Sequence, residues 1–168
     1  GCFNVFEMSV RAVLGQQITV KAASTLAARL VAVYGTQVQT GIEGLTHSFP
    51  APAAILALGE NISEHLGKLG IISARANTIY QLARVLADEK NDFGFCGNPE
   101  EEMQKLQAIR GIGSWIAMRA MGWPDAFLPT DAGIKKALPD HTPKELQVLS
   151  EAWRPWRSYA TVNLWNTL

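Results

Sequence analysis

The chain reads as an all-α protein, and three observations predict it. Apolar residues recur at spacings of three and four along most of its 168 residues. No segment sustains strand alternation. Glycine or proline punctuates the periodic runs where helices stop or start. The pattern suggests one domain over residues 1–168, built as two helical lobes with a central cleft. With 48% hydrophobic and 18% charged residues, it belongs with compact soluble domains long enough to form a real core.

The elements follow in order. Phe3, Phe6, Val10, Val13 and Leu14 form one apolar stripe. Thr19 is placed to cap a second helix running to Tyr34, with Gly35 as its stop. Thr36 to Pro50 reads as a loop, and short helices are expected from Pro52 to Leu58 and from Ser63 to Leu66. Ser73 caps a longer helix through Ala87, with Ile79, Leu82, Ala83 and Leu86 facing inward; Asn91 to Asn98 is another loop. Pro99 suits a first helical turn, and Glu100 to Glu102 favour its positive end. Thr142-Pro143-Lys144-Glu145 has the pattern of a capping box with proline at the first helical position. Pro155 opens a last helix from Trp156 to Asn166, and Trp153 and Trp156 are assigned to the core.

The segment Leu106 to Asp131, LQAIRGIGSWIAMRAMGWPDAFLPTD, carries the chemistry. An apolar helical run enters the turn Gly111-Ile112-Gly113, and a second run leaves it, giving a helical hairpin over about residues 99–122. Glycines lack a Cβ and let another backbone approach closely, and the unpaired N–H groups at the start of the second helix suit a phosphate. An ordinary glycine-cornered αα-hairpin has the same spacing, so the turn by itself leaves both readings open. Net charge is zero, with 15 basic and 15 acidic residues, which argues against a non-specific polyelectrolyte binder. Lys105, Arg110, Arg119, Lys135 and Lys136 nevertheless outnumber Asp125 and Asp131 around the hairpin. Asp131 precedes the apolar-periodic AGIKKAL, so a helix N-cap is its plainest role.

The ordered set around the turn resembles the helix-hairpin-helix (HhH-GPD) DNA glycosylase superfamily. Within it the pattern is most similar to the C-terminal two-thirds of the bacterial 3-methyladenine DNA glycosylases of type II. FEMSVRAVLGQQITVKAASTLAARL (Phe6 to Leu30) and WRPWRSYATVNLW (Trp153 to Trp165) extend the resemblance over nearly the whole chain. It implies a monofunctional DNA N-glycosylase that flips alkylated, cationic purines out of duplex DNA and releases them by water attack at C1′. Asp131 would then be catalytic, stabilising positive charge on the deoxyribose and orienting the water. Members that also cut the strand carry a lysine where this chain has Trp115, so no lyase activity is expected.

The resemblance places Trp115, Arg119 and Trp165 in a base pocket, where an electron-rich indole attracts a cationic base by roughly 0.5–2 kcal/mol. Arg119 departs from the family tyrosine and puts the substrate range in doubt. Gln17 falls at the wedge position, often leucine, that fills the gap left by the flipped nucleotide. Gly111, Gly113 and Ser114 would contact the DNA backbone. The carbonyls of Gln107, Ile109 and Ile112 would hold a monovalent cation, K+ or Na+, as the one structural ion; no other cofactor is required. Cys2 and Cys96 give no metal-ligand spacing and fall short of the four cysteines of iron–sulfur relatives, so no cluster is expected.

The expected partner is double-stranded DNA with a damaged base. A monomer in a bacterial cytoplasm is expected, and no apolar run reaches the about 18 residues of a membrane span. Starting at Gly1 rather than Met, the chain suggests part of a longer protein. The competing reading is a non-catalytic helix-hairpin-helix module of a larger alkylation-response regulator, and a third is a glycosylase acting on mismatched uracil or thymine.

Overall fold

The computed structural model describes residues 4–87 and 99–167; the side chains of Pro99, Glu100 and Arg119 lie outside the description. So do Cys2, Phe3, Cys96 and the loop expected over residues 91–98. The chain forms two compact units, Cys2–Met121 and Gly122–Leu168. The described elements are almost all helical, as the periodicity predicts.

In the larger unit, Asn4 caps α1 (Val5–Leu14) by accepting the Glu7 N–H at 2.9 Å. The α1 stripe is buried through Phe6, Val10, Val13 and Leu14. Thr19 caps α2 (Val20–Tyr34) by accepting the Ala22 N–H, and Gly35 ends it. The predicted loop after it contains a two-residue antiparallel pairing, Thr36–Gln37 (β1) with His47–Ser48 (β2), too short to show as alternation. α3 (Pro52–Leu56) and α4 (Ile62–Gly67) follow, then α5 (Ser73–Leu86), whose N-cap is Ile72 rather than Ser73. Ser73 makes no capping hydrogen bond because it already lies inside the first turn.

Helix α5 organises this unit: α1, α3 and α4 all pack on it. Its Ile79, Leu82 and Ala83 are fully buried, while Leu86 is only half-buried in the last turn. Burying each such Leu or Ile side chain is worth roughly 1.5–3 kcal/mol. α6 (Pro99–Gln107) and α7 (Ser114–Ala120) form the hairpin, and α7 packs on α1.

The smaller unit holds α8 (Ala132–Ala137), α9 (Pro143–Ser150) and α10 (Arg157–Trp165). The capping box is present: the Glu145 N–H donates to Thr142 Oγ1, and the Glu145 carboxylate accepts from the Thr142 N–H at 2.7 Å. Phe127, Ile134 and Leu146 form its core, with Leu138, Trp153 and Leu164 packed around them. Trp153 meets Phe127 edge to face, as its core assignment requires.

Trp156 corrects its assignment, being 58% exposed. It caps α10, which starts at Arg157 rather than at Trp156. A period of 3.6 turns Arg157, Thr161 and Leu164 inward and leaves Trp156, Tyr159 and Val162 outside, where Trp156 and Tyr159 pack edge to face.

Candidate DNA-processing site

In the larger unit, the hairpin turn is anchored from beneath and open above. Leu106, Ile109, Ile112 and Ile116 are buried, so the residue between the two glycines is a core plug. Gly111 sits at φ 96°, and a Cβ there would lie 2.2 Å from Thr78 Oγ1. Only glycine satisfies both the left-handed backbone and that contact. A Cβ on Gly113 would meet open space, and Gly111, Gly113 and Ser114 are exposed.

Three carbonyls around this turn are already engaged. Ile109 O accepts the Ile112 N–H at 3.0 Å, Arg110 O faces Thr78 Oγ1 at 3.0 Å, and Gly111 O accepts from Gln16 Nε2 at 3.2 Å. Among the described residues, the carbonyls of Gln107 and Ile112 receive none of the hydrogen bonds that hold the turn. Ile109 O keeps a second lone pair, so the three oxygens suit a hard cation.

Trp115 is the second residue of α7 and is half-buried. Arg119 lies on the same helix, with its side chain outside the described residues. Gln17 is exposed on the loop between α1 and α2 at φ 56°. No local pattern in the sequence singles out Gln16, Arg75 or Thr78, whose contacts are long-range.

In the smaller unit, Asp131 is the N-cap of α8, as expected: its Oδ1 accepts the Ile134 N–H at 3.0 Å. The same oxygen accepts the Trp165 indole N–H at 2.9 Å. A Cβ on Gly133 would lie 2.5 Å from Trp165 Cδ1, so glycine at that position admits the indole edge onto the first turn of α8. Oδ2 accepts no hydrogen bond among the described residues. The half-buried group is thus oriented by two N–H donors at a helix start, where a negative charge is favoured.

The loop leading to Asp131 is held against the start of α10. Arg157 donates through Nε and Nη2 to the two oxygens of Asp125, at 2.6 and 2.8 Å, and both side chains are nearly buried. Arg154 reaches Asp125 from the surface and also pairs with Glu151. Burial pushes the Asp125 pKa up, but the hydrogen bonds and charge of Arg157, with Arg154 behind it, outweigh that and hold it below the ordinary carboxylate value. Ser158 completes the clamp: its Oγ donates to Trp123 O at 2.7 Å and accepts the Ala126 N–H at 3.0 Å.

This hairpin and capped aspartate sit in a chain whose residues 10–157 match the family model for the HhH-GPD superfamily of base excision DNA repair proteins. The chain belongs to that superfamily. It is 36% identical over 99% of its length to DNA-3-methyladenine glycosylase 2 of Escherichia coli, covering 59% of that protein. It is also 42% identical over 96% of its length to a probable bifunctional transcriptional activator/DNA repair enzyme of Mycobacterium tuberculosis, of which it covers 33%. The chain therefore spans between a third and three-fifths of these relatives. The fold is similar to that of a 3-methyladenine DNA glycosylase from Archaeoglobus fulgidus, with a TM-score of 0.79 and 24% identity over 98% of this chain and 58% of that one. Among the described residues no helix is long and apolar enough to cross a membrane, and no His, Cys, Asp and Glu group is arranged to hold a metal ion.

Proposed function

We propose that the chain is the glycosylase portion of a base excision repair protein, acting as a monofunctional DNA N-glycosylase on cationic alkylated purines. The observation that carries this reading is the Asp131 carboxylate, fixed through Oδ1 by two N–H donors with Oδ2 left open. As the C1′–N bond breaks, the methylated base leaves with the bonding electrons and becomes neutral, and positive charge develops on the sugar. Oδ2 stabilises that charge and orients the water whose oxygen bonds to C1′; the water's proton passes to the carboxylate or to solvent.

The exposed edge of Gly111, Gly113 and Ser114 takes one phosphate through backbone N–H groups, a contact blind to sequence. The carbonyls of Gln107, Ile109 and Ile112 would hold a monovalent cation, and the chemistry it would supply is positive charge for a phosphate. Trp115 offers an aromatic face to the cationic base and no amine to C1′, so release ends at an abasic site without strand scission. Gln17 fills the vacated stack.

The test is release of free methylated purine from alkylated duplex DNA, compared with Asp131→Asn. Asparagine keeps a capping oxygen for Ile134 N–H but carries no charge. Excision is expected to fall at least about 100-fold with duplex affinity unchanged, the scale typical of losing one aimed stabilising group. A loss of twofold or less removes Asp131 from the chemistry. Duplex binding without release by either form supports the docking-module reading instead.

A further inference from the structure

Gln17 is the one non-glycine residue at positive φ among the described residues. A left-handed backbone costs an L-residue roughly 1–2 kcal/mol, so something must hold it. The residue before it is tied at both ends. Gln16 Nε2 donates to Gly111 O at 3.2 Å, and Gln16 O accepts a hydrogen bond from the Arg75 guanidinium. Arg75 lies on α5, and three residues later, on the same face, Thr78 stands 3.0 Å from Arg110 O and against Gly111. One face of α5 therefore grips two loops that lie 95 residues apart in sequence, the turn bearing Gln17 and the turn of the hairpin.

We propose that Gln16, braced by Arg75 and Thr78, is a positioning residue that registers the Gln17 side chain against the phosphate-holding turn. Docking one phosphate of duplex DNA on the hairpin then delivers Gln17 to a fixed place in the base stack. The inference rests on the base-flipping reading above and deepens it. Gln16 acts through Gln17; its own amide is committed to the hairpin carbonyl. A brace of this kind separates two quantities: undamaged duplex binds through the hairpin alone, whereas nucleotide extrusion needs both turns in register.

The experiment uses a duplex carrying 7-methylguanine beside 2-aminopurine, whose fluorescence rises on unstacking, with the parent chain, Gln16→Met, Gln17→Ala and the double variant. Gln16→Met is expected to bind undamaged duplex within twofold of the parent. Its extrusion and single-turnover excision should both fall about tenfold, the equivalent of one hydrogen bond of about 1.4 kcal/mol. Because Gln16 acts through Gln17, the double variant should be no worse than the more impaired single one. Gln16→Glu, which also removes the amide donor, repeats the test should the methionine variant melt early. Extrusion within twofold of the parent in a folded Gln16 variant overturns the brace, as do losses at Gln16 and Gln17 that multiply independently. A parent that neither extrudes nor releases the base overturns the glycosylase reading itself, and the brace with it.

Discussion

The indole N–H of Trp165 lies 2.9 Å from Asp131 Oδ1, so the last helix holds the carboxylate that caps α8. The resemblance to glycosylases casts Trp165 as a stacking surface, yet its single donor is committed to orienting Asp131. The two roles separate in Trp165→Phe, which keeps an aromatic ring and loses the N–H. Single-turnover excision is expected to fall about 10- to 100-fold in Trp165→Phe with duplex affinity unchanged, the cost of a charge-assisted hydrogen bond being roughly 1.5–3 kcal/mol. Phenylalanine at the parent rate returns Trp165 to stacking alone.

Asp125, nearly buried, contributes to the pH dependence of the smaller unit's stability, beside the exposed Glu145 and Glu151. Its pKa is lowered in the folded protein, so the unfolded chain takes up the proton first, near pH 3.9. Its contribution is therefore complete above that pH and drains away as pH falls toward the lower folded value. Asp125→Asn leaves Arg157 nearly buried without its main partner, a loss expected at about 2 kcal/mol, between the values for exposed and fully buried pairs. Thermal melts should show a decrease of about 4–8 °C at pH 7 that shrinks at pH 3. An equal decrease at both pH values contradicts the assignment.

Arg119 stands one helical turn past Trp115, where the family pattern has tyrosine. A second aromatic face attracts a cationic base, whereas a guanidinium repels it. Arg119→Tyr is expected to raise the excision rate of 7-methylguanine relative to that of neutral hypoxanthine by about threefold or more, measured on matched duplexes. An unchanged ratio places Arg119 away from the base.

What the sequence made legible is what lies within a few residues. Thr19, Asp131 and the Thr142–Glu145 box each cap the helix directly behind them, so spacing alone reveals them. The helical character of the chain follows from the same short periods. The contacts that tune the candidate site are long-range: Trp165 reaches Asp131 across 34 residues, Arg157 reaches Asp125 across 32, and Arg75 reaches Gln16 across 59. None leaves a pattern, because each depends on how helices pack and not on propensity. Trp156 shows the converse error: its size argued for the core, but the phase of α10 turns it to solvent.

The double duty of Asp131 constrains how such a chain can drift in sequence. Losing the side-chain oxygen at residue 131 removes the α8 cap, at a cost of about 1 kcal/mol, along with the anchor for the Trp165 indole. A lineage that abandoned base removal and kept only its grip on DNA would thus be under pressure to retain a short polar residue there. Asparagine, serine or threonine at this position would keep the cap and lose the charge, whereas under the proposed chemistry aspartate alone supplies both.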